Sequence, residues 1–202
     1  MSISLQYKSI EIEIFDDFSF SLGADSPKKY DKVFQLDKDK EFAPTSQHAI
    51  KLNNDNETIG SAIILASGGG SCVHSDTAII SNDDLIIRCC KKVFNVKISG
   101  LILNWIIEID WATCFGIYSY GDTFISHGEC SIARFDKAGN ILWSYSGADI
   151  FVNPVDRGIS FEMLTDYIEL TDFNGGKYKI DYNGNTISYL EPNKQSPWWK
   201  FL

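Results

Sequence analysis

The sequence predicts an all-β protein built from antiparallel four-stranded meander repeats, with little helix. Three stretches, at about 77–107, 112–146 and 160–191, repeat one order of strands and turns. Composition also favours strands, because aromatic residues make up 13% of the chain and methionine occurs only twice. No segment shows an apolar stripe with the helical period. Such units cannot bury their faces alone, so we expect them to stack in a propeller-like array, either small or incomplete.

The repeats align on three glycines, Gly100, Gly139 and Gly184, each at the end of a turn. The turns at 136–139 and 181–184 begin with aspartate and end with glycine. This is a type I turn signature. The carboxylate accepts a hydrogen bond from a nearby backbone N–H, and glycine readily adopts the positive φ that follows. We therefore expect a positive φ at all three glycines.

The strand before each glycine turn alternates between apolar and polar residues. Equivalent positions give an apolar set of Val96, Phe135 and Ile180, and a polar trio of Asn95, Arg134 and Lys179. A period of two residues places the sets on opposite faces of the strand, so we expect the polar trio to be the more exposed. A fainter fourth copy matches at 32–42, without the glycine.

The first third of the chain indicates further strands. Alternating apolar residues occur at 3–7, 10–14 and 18–22, and an apolar run follows at 59–66. The alternation slips between Tyr7 and Ile10, which predicts a turn or bulge near Lys8 and Ser9. We expect one domain over 1–202, with an N-terminal β region at 1–70, three repeats at 77–191 and an aromatic tail at 192–202. The glycine-rich stretch 67–71 is interpreted as a flexible connection.

Charge and cysteine usage limit the partners and the compartment. The net charge of −9 argues against nucleic acid and anionic membranes, and favours a protein partner with a basic or neutral surface. The start of the chain has no secretory pattern, and no apolar run reaches membrane-spanning length. Five cysteines without framework spacing predict free thiols in the cytoplasm: Cys72, Cys89, Cys90, Cys114 and Cys130.

Candidate site residues cluster where the repeats turn. His127 and Glu129 end a strand of the middle repeat, and Asp172 occupies the corresponding place in the third. Histidine with a carboxylate could perform acid–base work or hold a metal. No second histidine or paired cysteine motif lies near in sequence, so we expect neither a catalytic constellation nor a metal or cofactor. The favoured interpretation is a turn histidine that hydrogen bonds to a backbone carbonyl.

Two further groups complete the candidate binding residues. Asp110 and Asp149 mark corresponding corners between repeats, where carboxylates usually accept hydrogen bonds from exposed backbone N–H groups. Trp198 and Trp199 lie in the aromatic tail, and aromatic anchors are favoured at interfaces. The alternative for the tail is docking onto its own domain.

The segment 135–143 resembles the inner hairpin of PQQ-type propeller repeats, in which a strand ends in aspartate, turns through glycine and resumes toward tryptophan. The resemblance implies propeller-type repeats, but not quinone binding, because no quinone-site motif is visible. A closed propeller usually has at least four blades, so residues 1–70 supply either a fourth sheet or a cover for an open edge. The segments 110–115, 127–129 and 143–151 are also similar to bacterial proteins without a settled activity, some of which neighbour toxin-immunity or phage-linked proteins.

Two classes of function remain open at this point. The leading hypothesis is a non-catalytic protein that binds another protein, with immunity-type neutralisation as its most specific form. The alternative is an enzyme or a small-ligand-binding protein that uses a rim around His127 and Glu129. A pocket lined by these residues would favour the alternative.

Overall fold

The computed structural model describes residues 2–22, 29–35, 43–55, 57–153 and 158–192. Across these ranges the chain forms β-strands arranged in four sheets, together with one short 3₁₀ turn at Ser75–Thr77. The predicted all-β, propeller-like fold is confirmed.

The first sheet holds five strands. They are β1 (Ser2–Tyr7), β2 (Ile10–Asp16), β3 (Lys32–Gln35), β4 (Ser46–Asn54) and β5 (Glu57–Ala66). The strand order is β1-β2-β4-β5-β3, so four strands form an antiparallel meander and β3 is added at the edge. The predicted turn at Lys8 and Ser9 is confirmed, with a φ of 53° at Lys8.

Two N-terminal predictions are wrong. The fourth repeat copy fails because β3 pairs in parallel with β5 instead of starting an antiparallel hairpin; residues 36–42 of that copy lie outside the described residues. The strand at 18–22 fails because Asp17 forms a local turn, in which its carboxylate accepts hydrogen bonds from the backbone N–H and the hydroxyl of Ser19.

The other three sheets are four-stranded meanders in chain order. The second contains β6 (Ala78–Ser81), β7 (Asp84–Cys89), β8 (Lys92–Lys97) and β9 (Ile102–Glu108). The third contains β10 (Cys114–Tyr120), β11 (Thr123–Gly128), β12 (Ile132–Asp136) and β13 (Ile141–Tyr145). The fourth contains β14 (Phe161–Met163), β15 (Ile168–Thr171), β16 (Lys177–Ile180) and β17 (Thr186–Leu190).

The predicted repeat is visible in the backbone of these three sheets. In each of these sheets a bulge falls at the same place, between the polar and the apolar residue of the aligned strand. The aligned glycines Gly100, Gly139 and Gly184 have φ values of 80°, 86° and 84°. The expected positive φ is thus confirmed at all three turns.

A tryptophan on the outer strand of one sheet packs on the glycine turn of the next sheet. Trp105 lies over Gly139, and Trp143 lies over Gly184. The two indole N–H groups donate to the backbone carbonyls of Lys137 and Tyr182, each at 3.0 Å. A Cβ on Gly184 would lie 2.8 Å from the ring of Trp143, so glycine is required by space as well as by φ.

Hydrophobic clusters lie between successive sheets. Leu85 and Phe94 of the second sheet pack toward the first, whereas Ile86 and Val93 on the opposite face pack toward the third. A further cluster joins the third and fourth sheets. Among the described residues no hydrophobic cluster joins the fourth sheet to the first, and so the apolar packing is linear from one end of the stack to the other.

The exposure predicted for the polar trio is wrong at Asn95, which is only 2% exposed. Asn95 lies on the face that packs against the third sheet, whereas Arg134 and Lys179 are half-buried and, as predicted, more exposed than the apolar set. The fourth sheet has no following sheet among the described residues, and there Glu169 and Lys177 replace the Ile86 and Val93 of the second sheet. A polar outer face is typical of a terminal repeat and stops further stacking.

The glycine turns provide a direct test of the stack. We expect Gly184→Ala to lower the free energy of unfolding by about 2–4 kcal/mol, because it combines a strained φ with displacement of Trp143. Gly121→Ala is the matched control: its φ is 54°, but no atom lies within 4 Å of the added Cβ, and we expect a loss of about 1 kcal/mol. Equal losses in chemical denaturation would contradict the role of the indole contact.

The polar outer face of the fourth sheet can be tested by substitution. The double variant Glu169→Ile, Lys177→Val restores the residue types found on the covered face of the third and second sheets. It should expose a contiguous apolar patch and cause concentration-dependent self-association. Light scattering on the purified variant would detect this, with Glu169→Gln, Lys177→Gln as the control that remains unassociated. A double apolar variant that stays as dispersed as the control would refute the capping role.

Candidate functional site

Asp110 holds a corner between the second and third sheets. Its Oδ1 accepts hydrogen bonds from the backbone N–H groups of Ala112 and Thr113, at 2.7 and 3.1 Å. Its Oδ2 accepts from the N–H groups of Cys130 and Ser131 and from the Ser131 hydroxyl, all within 3.0 Å. The buried carboxylate therefore ties the loop after β9 to the turn after β11, as a corner carboxylate is expected to do.

His127 is a packed strand residue. Its ring stacks on Phe161, with centroids 4.7 Å apart, and contacts the edge of Phe115. Its Nε2 donates to the backbone carbonyl of Phe151 at 3.3 Å, which matches the expected carbonyl partner, although His127 lies in β11 and not in a turn. Burial lowers the pKa of His127 to about 4. The ring is therefore neutral at pH 7 and enclosed.

The carboxylates predicted near His127 act in separate loops. The backbone of Glu129 joins the loop before β10 to the loop after β13. Its N–H donates to the carbonyl of Thr113, and its carbonyl accepts from the N–H of Phe151. Asp172 is buried and accepts hydrogen bonds from the Gly176 N–H at 2.7 Å and the Tyr178 hydroxyl at 2.6 Å. No hydrogen bond between described residues joins His127 to any carboxylate, and so the structure does not assemble a histidine–carboxylate pair.

Asp149 also accepts hydrogen bonds within its own loop, between the third and fourth sheets. Its carboxylate accepts hydrogen bonds from the backbone N–H of Ile150 and from the side-chain amide of Asn174. The remaining predicted residues, Trp198 and Trp199, lie outside the described residues. Their proposed role as anchors stays a prediction.

Trp111 is the exposed feature that the sequence analysis missed. It follows Asp110 in the corner loop and is 88% exposed. Beside it lies a groove of about 270 Å³, lined by Glu108, Trp111, Cys130, Ile141 and Ser144 among others. The sequence did carry a signal, because Trp111 falls in a short link where neither face of a strand is available to bury it.

A buried polar network joins the first two sheets. His48 Nδ1 lies 2.9 Å from Asp16 Oδ1, and His48 Nε2 lies 3.4 Å from the hydroxyl of Ser71. This is the order of a Ser–His–Asp triad, but His48 is fully buried and the Ser71 hydroxyl accepts a hydrogen bond from the N–H of Cys90. We interpret the network as structural.

Hydrogen bonds to neighbouring segments hold the glycine-rich stretch 67–71, which was expected to be flexible. The Gly69 N–H donates to the carbonyl of Ala112 at 2.9 Å, and the Ser71 N–H donates to the Ser46 hydroxyl at 2.7 Å. A Cβ on Gly69 would lie 1.8 Å from the hydroxyl of Thr113. The stretch is therefore a fixed connection. Gly69 must be glycine because the side chain of Thr113 lies too close to its backbone for a Cβ.

All five cysteines are free thiols, as predicted. Within the described ranges, no group of three or more His, Cys, Asp or Glu side chains is arranged to hold a metal ion. The same part of the chain contains no helix with the length and hydropathy needed to cross a membrane.

Comparisons with known proteins add little about the site. No protein-family model matches the chain, and no curated protein matches it. Among solved structures, the crystal structure of BamB from Moraxella catarrhalis is similar, with 11% identity and a TM-score of 0.47 over 71% of this chain. The match covers 44% of the BamB chain, so this protein spans less than half of that structure.

The burial of His127 predicts a pH dependence of stability. The unfolded chain takes up the proton near the ordinary pKa of 6.5, whereas the folded protein takes it up only near pH 4. The free energy of unfolding should therefore fall as pH drops through this window, by up to about 1.4 kcal/mol per pH unit from this group. His127→Gln keeps an N–H donor for Phe151 and should lose this component in urea titrations. Identical pH profiles for both proteins would contradict the assignment.

Proposed function

We propose that this protein is a non-catalytic binding protein that holds another protein at the corner between its second and third sheets. The observation that carries the proposal is Trp111, an indole left 88% exposed on a loop that the buried Asp110 carboxylate fixes in place. Large aromatic side chains are the residues that most often dominate binding energy at protein interfaces.

The corner is organised before any partner arrives. Four backbone N–H groups and one hydroxyl donate to Asp110, so the loop that carries Trp111 has little freedom to lose on binding. Ordering loops and side chains is a main cost of association, and a pre-fixed anchor reduces it. The neighbouring groove offers Ile141, which is 46% exposed, as additional apolar surface.

Charge favours a partner with a basic or neutral surface. The chain carries a net charge of −9, which steers basic proteins toward it and repels nucleic acid. The most specific form of the proposal is an immunity-type protein that neutralises a toxin by covering it. Trp198 and Trp199 are proposed as further anchors.

The alternative, an enzyme or ligand site around His127 and Glu129, has less support. A general acid or base must reach its substrate and must change protonation near the working pH. His127 is stacked against Phe161, and burial lowers its pKa to about 4.

Loss of the anchor should abolish partner binding. Partners captured from the native cell by tagged protein would be identified, purified and titrated against wild type and Trp111→Ser. We expect the variant to weaken binding by about thirtyfold, or about 2 kcal/mol, with unchanged thermal stability.

The matched control is Phe18→Ser, which removes an aromatic side chain that is 63% exposed in the turn after β2. It should bind the partner as tightly as wild type. A partner that binds Trp111→Ser with wild-type affinity would show that the corner is not the interface.

A further inference from the structure

The junction between the first and second sheets lacks the tryptophan that fills the other two junctions. At the bulge of the second sheet Asn95 pairs with Trp105, and at the bulge of the third sheet Arg134 pairs with Trp143. In the first sheet the bulge falls between Leu52 and Asn53, and the residue opposite Leu52 is Gly60. The backbone position is thus repeated, but the indole is replaced by a hydrogen atom.

A pocket of about 340 Å³ occupies the corresponding place. Its inner wall is formed by Leu52, Gly60, Ile98, Gly100 and Leu101. Gly100 is the aligned turn glycine of the second sheet, equivalent to the glycines on which Trp105 and Trp143 pack. The pocket is therefore bounded by the same two backbone features that enclose an indole ring elsewhere in the molecule.

A hydrogen-bond acceptor for an indole N–H is also repeated. Trp105 and Trp143 donate to the carbonyl two residues before the turn glycine, at Lys137 and Tyr182. The equivalent carbonyl in the second sheet belongs to Ile98, which lines the pocket and accepts a long backbone hydrogen bond from Leu101, at 3.3 Å. That oxygen has capacity for a second donor.

Two of the remaining lining residues are charged. Asp31 and Lys32 adjoin each other in sequence and lie on the first sheet's side. The Asp31 carboxylate is held by the N–H and hydroxyl of Ser61, at 2.8 and 2.9 Å. Ile59 also lines the pocket and is 56% exposed, so it has apolar surface available to cover a ligand.

We propose that this pocket binds the indole ring of a small zwitterion, tryptophan or a close relative. The ring takes the place that Trp105 and Trp143 take at the other junctions, and its N–H donates to the carbonyl of Ile98. The ammonium group of the ligand is matched to Asp31 and its carboxylate to Lys32. Apolar walls with a few fixed polar groups are the usual make-up of a small-molecule site.

The probe for the test is L-tryptophan, titrated into isotope-labelled protein and followed by NMR. We expect saturable shifts of the backbone amides of Gly60, Ser99 and Gly100. Tryptamine lacks the carboxylate and indole-3-acetate lacks the ammonium, so each should bind at least tenfold more weakly than tryptophan, and Asp31→Asn should weaken tryptophan binding.

Gly60→Trp supplies the ring from within the chain. A Cβ at Gly60 would meet its nearest neighbours at 3.6 Å, an ordinary contact, so the backbone accepts a side chain there. The variant should gain thermal stability and lose tryptophan binding. The matched control is Ser188→Trp, at the equivalent position of the fourth sheet, which should leave binding unchanged. Ser99→Trp, on the exposed turn, is a second blocking variant in case Gly60→Trp does not fold.

The outcomes separate the parts of the proposal. No shifts around Gly60 at millimolar tryptophan, or binding that survives both blocking variants, would overturn the site. Equal affinity for indole and tryptophan would overturn the roles of Asp31 and Lys32. Tighter binding of N-acetyl-tryptophanamide than of tryptophan would identify a peptide side chain, not a free zwitterion, as the occupant.

Discussion

The contact between an indole ring of one sheet and the glycine turn of the next sets how the sheets stack. Each sheet can bury its faces only against its neighbours, and apolar packing alone does not fix where one sheet sits on another. The ring of Trp143 meets Gly184 at a distance that excludes any side chain, and its N–H is satisfied by Tyr182. Trp143 thus provides buried apolar area, a steric limit on how closely the two sheets approach, and a directional hydrogen bond.

The first junction is packed by other residues. Leu101, in the left-handed region with a φ of 48°, contributes its buried side chain to the core between the first two sheets. The Asp16–His48–Ser71 network links the first sheet to the connection that leads into the second. The Ser71 hydroxyl also accepts a hydrogen bond from the N–H of Cys90, so the connecting stretch is held by the second sheet as well.

Local signals predicted the local structure, and non-local packing decided the rest. Aspartate and glycine spacing fixes a turn through its own backbone, so the turns near Gly139 and Gly184 could be predicted from sequence. The burial of Asn95 could not, because a period of two residues assigns a face but does not say what covers it. The parallel pairing of β3 depends on a strand more than twenty residues away. At the site, the capping role of Asp110 followed from its corner position, whereas the exposure of Trp111 depends on how two whole sheets meet.

The polar face of the fourth sheet has a consequence for how the molecule opens. A linear stack behaves as a row of units in which each is stabilised by its neighbours, and a terminal unit with one covered face is the least protected. Opening should therefore begin at an end of the row and move inward. The corner that carries Trp111 lies between the second and third sheets, at the centre of the row. Fluctuations that release the fourth sheet leave both walls of that corner in place, so a bound partner would be insulated from fraying of the fourth sheet.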